Sequence, residues 1–266
     1  MTPLLRPPIS AVAPSVAAPG IEISDARLEY GGVALFDRLT LSLPAGLWTC
    51  LLGPSGVGKT TLLRMIAGLE GGASGNVAAD NGKPLDGRIA YMAQQDLLLP
   101  WLTLAQNVAL GARLRGELTP AILGEAHALL AKVGLGEYAG MRPDGCSGGM
   151  RQRAALARTL IENRPVVLMD EPFSALDAIT RLRLQDIAAD LLRGRTVLLV
   201  THDPLEALRL GDHVHVMAGR PATIGEPLTL AGAPPRRADD PATIARHAEL
   251  LARLAAASIQ DPGGGR

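Results

Sequence analysis

Apolar and polar residues alternate from Ile21 to Tyr30 and again from Leu39 to Leu43, which is the pattern of half-buried strands. Three later segments are almost continuously apolar, namely Trp48 to Leu52, Val166 to Met169 and Thr196 to Val200. Runs of this kind are typical of parallel strands that are covered on both faces. The pattern therefore predicts an α/β fold in which an antiparallel strand group precedes a mostly parallel sheet.

The segments between these strands have helical spacing of apolar residues, and several begin with a capping residue such as Thr103, Thr119 or Ser147. Helices are predicted over residues 60–69, 103–115, 119–133, 147–163, 177–192 and 241–257. The last two carry apolar stripes, which ordinarily face the core. The stripes comprise Ile179, Leu182, Ile187 and Leu191 in one helix and Ile244, Ala248, Leu251 and Ala255 in the other.

One glycine-rich loop joins the strand ending at Leu52 to the next helix, and its sequence fits the phosphate-binding pattern G-x-x-x-x-G-K-[ST]. Glycines permit the tight curl that aims backbone N–H groups at phosphate oxygens, and the helix N-terminus adds positive potential. Lys59 is placed to reach the β- and γ-phosphates, and the Thr60 hydroxyl to ligate Mg²⁺. The predicted nucleotide-binding residues are Gly53, Pro54, Ser55, Gly56, Val57, Gly58, Lys59, Thr60 and Thr61.

Polar residues follow three predicted strands at the edge where an open α/β sheet binds its ligands. Asp170 and Glu171 end one apolar run. An acidic residue in this place helps P-loop nucleotidases to hold Mg²⁺, so we assign Asp170 to the metal and Glu171 to the general base. His202 follows the next apolar strand, and Gln94 follows a strand predicted from Arg88 to Met92, where an amide could bind metal or water.

Composition narrows the class of protein. The 266 residues are 47% hydrophobic, enough for a sizeable core, and their 26 basic and 26 acidic residues cancel, which disfavours nucleic-acid binding. No apolar run approaches the roughly 18 residues of a membrane span, so action at a membrane would need a partner. The two cysteines lack metal-ligand spacing and fit a reducing cytosol. Prolines interrupt residues 1–20, which predicts a disordered tail rather than a signal peptide.

A second glycine-rich stretch, Cys146-Ser147-Gly148-Gly149, opens the helix over residues 147–163 and makes another anion site at a helix N-terminus. Because this stretch and the motifs described above follow the order found in that family, the chain resembles the ATPase subunits of ABC transporters. The signature motif of that family usually reads Leu-Ser-Gly-Gly-Gln, and this chain has Cys146 in place of the leucine and Met150 in place of the glutamine. A buried cysteine behaves as a small hydrophobe, and a redox-sensitive signature is the alternative hypothesis.

The resemblance implies a role for each motif, with ATP and Mg²⁺ as ligands. Tyr30, which the strand pattern alone leaves open between a strand-edge aromatic and a base-stacking ring, matches the base-stacking aromatic. Gln94 matches the glutamine that senses metal or water, and His202 matches the switch histidine at the γ-phosphate. Asp177 ends the D-loop, which communicates across a dimer. The signature residues that would bind the ATP of a second copy are Ser147, Gly148 and Gly149.

The family's fold is also implied: a P-loop NTPase core with a mostly parallel sheet, an N-terminal antiparallel β subdomain and an inserted α-helical subdomain. We expect the ATPase domain over residues 21–230, its helical insert at about 95–150, and a linker, helix and tail over 231–266. The second function class that we weigh is a soluble ABC ATPase of DNA repair or translation. An exporter ATPase and a small P-loop kinase are further alternatives.

Four stretches of the sequence look similar to ATPase subunits of nitrate, sulfonate, taurine and pyrimidine-precursor importers. They are the residues around Gln94, Leu98–Trp101, Gly149–Arg153 and Gly219–Pro221. This implies a homodimer or paired ABC subunit at the cytoplasmic face of the inner membrane, with integral membrane permease subunits and, indirectly, a periplasmic solute-binding protein. No nucleic-acid partner is expected. Four apolar residues after Gln94 are expected either to dock the permease or to form the core of the helical insert. They are Leu98, Leu99, Trp101 and Leu102.

Overall fold

The computed structural model describes residues 18–259. Residues 1–17 of the tail predicted over 1–20 and the C-terminal tail from residue 260 therefore lie outside the described residues. The strands are β1 (Ile21–Tyr30), β2 (Val33–Leu43), β3 (Trp48–Leu52), β4 (Ser74–Ala79), β5 (Ile89–Met92), β6 (Val166–Asp170), β7 (Thr196–Val200), β8 (His213–Ala218), β9 (Thr223–Ile224) and β10 (Leu228–Thr229). The helices are α1 (Lys59–Ile66), α2 (Leu104–Val108), α3 (Leu110–Leu114), α4 (Pro120–Lys132), α5 (Gly148–Ile161), α6 (Ala178–Leu191), α7 (Pro204–Leu210) and α8 (Pro241–Ile259).

The larger of two sheets has the strand order β10-β8-β3-β7-β6-β5, with β9 paired to β8. Its strands β5, β6, β7, β3 and β8 run parallel, whereas β9 and β10 pair antiparallel with β8. The smaller sheet is antiparallel, in the order β2-β1-β4. The predicted α/β class, the mostly parallel sheet and the antiparallel N-terminal strand group are therefore confirmed.

Both faces of the parallel sheet are covered, as the continuous apolar runs predict. All residues of β3, β6 and β7 are buried. Successive side chains of a strand point to opposite faces, so Cys50 and Leu52 join one core with helices α2, α4 and α5, while Leu51 joins a second core with α1 and the antiparallel sheet. The carboxyl ends of the central strands therefore meet at one sheet edge.

Helices α2 to α5 pack together beside the sheet, where the helical insert is predicted. Thr103 caps α2 with a complete capping box: its hydroxyl accepts from the Gln106 N–H, and the Gln106 side chain accepts from the Thr103 N–H. The structure interrupts the predicted helix over residues 103–115 at Ala109, where α2 ends and α3 begins. Between residues 18 and 259 no helix is long and apolar enough to cross a bilayer.

The apolar stripe predicted for α8 does not face the core, and the stripe predicted for α6 faces it only in part, since Ile187 and Leu191 pack against the core. Ile179 is 81% exposed, and Ile244 and Leu251 are also exposed. The buried face of α6 carries Gln185, which donates to Glu206, and the buried face of α8 carries Thr243, which bonds Asp240. Polar residues with such partners can be buried, and alanines allow close packing. The buried residues are Leu184, Gln185, Ala188 and Ala189 in α6 and Thr243, Leu250 and Ala257 in α8.

Candidate active site

The loop from Gly53 to Thr61 joins β3 to α1 in the predicted strand–loop–helix arrangement. Gly56 and Gly58 have φ values of 80° and 111°, which favour glycine. A Cβ atom at Gly53 would collide with the Met217 carbonyl oxygen, and one at Gly58 would lie 2.8 Å from the Phe36 ring. Helix α1 begins at Lys59 without a side-chain cap, so its first-turn N–H groups are left for an anion.

Lys59 lies under this loop, largely buried. Its ammonium group donates to the carbonyl oxygens of Gly53 and Pro54, at 2.8 Å each. Burial lowers the pKa of Lys59, and the carboxylates of Glu171 and Asp170 oppose that shift. The ammonium group is therefore held at the loop by short bonds to its backbone and by two carboxylates at the neighbouring strand end.

Asp170 ends β6 and is almost fully buried. Burial raises the pKa of its carboxyl, and a hydrogen bond with the Thr60 side chain opposes the shift. The Oδ2 atom of Asp170 has no hydrogen-bond partner among the described residues. A buried carboxylate oxygen without a partner, beside a hydroxyl group, is the donor set that suits a hard cation such as Mg²⁺.

Glu171, the next residue, has its backbone in the left-handed region, with φ at 48°. Its Oε2 atom lies 3.4 Å from the Nε2 atom of Gln94 and 3.2 Å from the Nδ1 atom of His202. The structure thus brings together three polar residues that follow three separate strands. The Glu171 side chain is largely covered, whereas that of His202 is mostly exposed.

The phosphate loop, Gln94, Asp170 and Glu171 line one open cleft with a volume of about 390 Å³. His202 does not line it and instead borders a small neighbouring pocket that Glu171 also lines. The lining of the cleft comprises Tyr30, Leu35, Ser55, Gly56, Gly58, Lys59, Thr60, Thr61, Gln94, Asp170, Glu171 and Val200. Val57, by contrast, directs its side chain into the core. Tyr30, at the end of β1, is half exposed. The predicted loop, the glutamine, both carboxylates and the aromatic residue therefore share a single cleft.

The signature residues Ser147, Gly148 and Gly149 are not among the residues that line the cleft. Ser147 caps α5, where its hydroxyl accepts from the Met150 N–H at 3.2 Å. The space around Gly148 is open, since a Cβ atom there would meet nothing closer than 4.0 Å. The second glycine-rich helix start is thus a separate feature of the chain.

Cys146 and Asp177 occupy structural positions. The Cys146 thiol is buried, and burial raises its pKa, which disfavours the reactive thiolate and supports the small-hydrophobe interpretation. Asp177 caps α6, and its Oδ1 atom accepts from the Thr180 N–H at 3.0 Å. That hydrogen bond lowers the pKa of Asp177, so this carboxylate is ionised at neutral pH.

The apolar segment after Gln94 divides into buried and exposed residues. Leu98 and Leu102 are buried, while Trp101 is 64% and Leu97 58% exposed. The segment wraps around Asn107, whose side-chain amide exchanges hydrogen bonds with the backbone of residues 99, 102 and 103. The predicted group of four therefore belongs partly to the core, and the exposed apolar pair is Leu97 and Trp101.

The sequence patterns did not predict that several polar residues of α5 hold the segments around the cleft. Gln152 is buried and bonds residues 171, 174 and 175. Arg151 pairs with the carboxylate of Asp96 at 3.0 Å, and Arg158 donates to the carbonyl oxygens of residues 96 and 97. The resemblance includes Arg151 and Gln152 in the importer-like stretch Gly149–Arg153, but the sequence does not show what these side chains contact, because their partners lie 19 to 62 residues away.

A phosphate-type loop, a buried acidic strand end and an adjacent carboxylate define the class as a P-loop nucleotidase. More narrowly, the chain belongs to the ABC transporter family, whose family model matches residues 36–174. An uncharacterized ABC transporter ATP-binding protein of Haemophilus influenzae is 45% identical over 199 residues, covering 74% of this chain and 81% of that protein. The protein is therefore an ABC-type ATPase that binds ATP.

Two further relatives agree with this placement. An aliphatic sulfonates import ATP-binding protein, SsuB 2 of Burkholderia cenocepacia, is 39% identical over 255 residues, which cover 94% of this chain and 91% of that protein. Among solved structures, the ATP-binding cassette MJ0796, dimeric and bound to ADP and Pi after hydrolysis, superposes with a TM-score of 0.71. It is 28% identical, and the match covers 80% of this chain and 99% of that one.

Proposed function

We propose that this protein is the ATP-hydrolysing subunit of an ABC importer. It binds ATP–Mg²⁺ in the cleft, pairs with a second ABC subunit, and drives integral membrane permease subunits at the cytoplasmic face of the inner membrane. The observation that carries the proposal is the convergence of Glu171, Gln94 and His202 beside the phosphate loop, while the signature residues lie outside that cleft. The relatives named as sulfonate importers support the importer class.

In this proposal Glu171 is the general base. Its carboxylate accepts a proton from the water that attacks the γ-phosphate, a task commonly worth about 10²–10⁴ in rate. Gln94 and His202 contact the same carboxylate oxygen, so they orient the water and the γ-phosphate around it. Lys59 and the N–H groups of the loop bind the β- and γ-phosphates.

Thr60, Asp170 and Gln94 are the residues that would hold Mg²⁺. The unpartnered buried oxygen of Asp170 and its hydrogen bond with Thr60 fit that assignment. When bound, the ion would neutralise phosphate charge. Among residues 18–259 no group of three or more histidine, cysteine or acidic side chains is placed to hold a metal. Phosphate oxygens and water would supply the remaining ligands, as is usual for Mg²⁺.

Replacing the general base tests this mechanism. Glu171→Gln keeps the size of the side chain and one acceptor oxygen but removes its negative charge and its basicity. We expect steady-state turnover to fall about 10²–10⁴-fold, while the ATP dissociation constant measured by calorimetry stays within about twofold, since Lys59 and the loop are intact. Glu137→Gln, at an exposed glutamate of the helical region, is the matched control and should hydrolyse at the parental rate. Parental turnover in Glu171→Gln would reject the assignment.

Leu97 and Trp101 form the proposed docking surface for the permease. They are exposed and lie three and seven residues after Gln94, so a partner bound to them would be close in sequence to the glutamine of the cleft. Buried aromatic residues commonly dominate such interfaces. The solute is set by the permease and binding protein. We propose a small anion or precursor of the nitrate, sulfonate, taurine or pyrimidine-precursor type.

Trp101→Glu separates docking from nucleotide chemistry. With permease subunits in vesicles, we expect ATP-driven uptake to fall at least about tenfold, the loss typical of a central interface residue. ATP binding by the isolated subunit should not change. Leu114→Glu is the control, because Leu114 is an equally exposed apolar residue at the far end of α3. Undiminished uptake by Trp101→Glu would place the docking surface elsewhere.

A further inference from the structure

Gln152 is a buried amide whose hydrogen bonds all leave its own helix. It lies on α5, five residues after Ser147, and is 5% exposed. Its Nε2 atom donates to the Glu171 carbonyl oxygen at 2.9 Å and to the Ser174 hydroxyl at 3.2 Å. Its Oε1 atom accepts from the Ala175 N–H at 2.8 Å. One side chain thus joins α5 to the segment that follows β6.

The chemistry of these partners requires an amide. The Ala175 N–H can only donate, so it fixes the oxygen of Gln152 on that side, and the Nε2 group must then face the Glu171 carbonyl. A glutamate would keep the acceptor but place a second acceptor against that carbonyl. A methionine would match the length and supply neither group. The position therefore distinguishes side chains of nearly equal size by their hydrogen bonding.

The backbone that Gln152 holds is an unusual one. Glu171 has φ at 48°, a conformation that non-glycine residues rarely adopt unless their surroundings hold them there. Its N–H donates to the Val200 carbonyl on β7 at 2.9 Å. Its carbonyl accepts from Gln152 and from the N–H and hydroxyl of Ser174. The peptide groups on both sides of Glu171 are therefore fixed.

This backbone conformation sets where the Glu171 carboxylate lies. With it, Oε2 stands within 3.4 Å of Gln94 and 3.2 Å of His202. We infer that Gln152 is a positioning residue for ATP hydrolysis, which keeps the Glu171 backbone in the orientation that aims its carboxylate at the attacking water. The inference rests on the proposed role of Glu171 as general base. Gln152 itself does not line the nucleotide cleft.

Two variants and a control test this role. In Gln152→Glu and Gln152→Met we expect kcat to fall about 10- to 100-fold, because small displacements of a catalytic group cost this much. KM and the ATP dissociation constant should stay within about twofold. Thr159→Val is the matched control: Thr159 is another buried polar residue of α5, but its hydroxyl bonds only the Ala155 carbonyl of the same helix. Its kcat should equal that of the parent.

A double-mutant cycle separates positioning from general support of the fold. Single-turnover hydrolysis is measured in the parent and in the Glu171→Gln background, each with and without Gln152→Glu. If Gln152 acts through Glu171, its effect shrinks to less than about twofold once the base is gone. Equal losses in both backgrounds, or parental kcat in Gln152→Glu and Gln152→Met, would overturn the inference. Parental turnover in Glu171→Gln alone would instead reject the general-base assignment.

Discussion

Glu206 is a buried carboxyl that the catalytic mechanism does not use. It lies on α7, four residues after His202, and accepts from the Gln185 amide at 3.1 Å. Burial raises its pKa to about 7, with the nearby Asp203 carboxylate adding to the shift; hydrogen bonds from Thr201 and Gln185 and the charge of Arg181 oppose it. The neutral form is thus the one that the fold favours.

This shift makes stability depend on pH. Because the folded-state pKa of Glu206 lies above its ordinary value of 4.5, its contribution is fully present below about pH 4.5 and is lost as pH rises through about 7. Glu206→Gln keeps the shape without the charge, so we expect it to be about 3 kcal/mol more stable than the parent at pH 8 but only about 1 kcal/mol more stable at pH 5. Urea unfolding at both pH values measures this. Equal differences at the two pH values would contradict the assignment.

Helix α5 connects three functional regions at the scale of an element. Ser147 caps its N-terminus, and Gln152 in its second turn bonds residues 171, 174 and 175. Arg158, near its C-terminus, holds the segment after Gln94. Arg158 donates to the carbonyl oxygens of residues 96 and 97, and Leu97 has φ at 46°. The proposed docking surface is thus tied to the same helix as the signature residues.

Arg158→Ala should release the docking surface. Charge-assisted hydrogen bonds contribute about 1.5–3 kcal/mol each, so we expect backbone amides of residues 95–101 to exchange with deuterium at least about tenfold faster, while β6 does not change. Hydrogen-exchange mass spectrometry measures the exchange rates of residues 95–101 and of β6 in one experiment. Arg115→Ala is the control, since Arg115 pairs with Glu162 just beyond α5 at a similar distance. Unchanged exchange in residues 95–101 would show that Arg158 does not order them.

Sequence patterns predicted the strands better than the helix faces. The almost continuously apolar strands β3, β6 and β7 are buried on both faces, so their positions and the residues at their ends follow directly from the sequence. The amphipathic face of α6 could not be found, because burial of Gln185 depends on Glu206, which lies 21 residues away. The cleft residues were predictable from local motifs, whereas Gln152 and Arg158 were not, since their roles come from distant partners.

At the scale of the whole molecule, the nucleotide cleft is open and the signature residues lie outside it. The similar cassette MJ0796 has been solved as a dimer with ADP and Pi. Our account is that each ATP lies between the phosphate loop of one copy and the signature of the other, so two copies make two complete sites. A two-fold symmetric dimer provides this pairing without further components.

Complementation between two defective chains tests this account most directly. Lys59→Ala removes the ammonium group from the loop, and Gly148→Asp places a negative charge in the signature, where the open surroundings of Gly148 accommodate the side chain. Each variant alone should be inactive. A mixed dimer, however, contains one site built from the intact loop of one chain and the intact signature of the other.

ATPase activity of the equimolar mixture is the measurement. Random pairing makes half of the dimers mixed, each with one intact site, so we predict recovery to about a quarter of the parental rate. Mass photometry with ATP identifies the dimers. If the loop and the signature of the same chain formed the site, every site in the mixture would stay defective. A mixture no more active than its components would contradict the account.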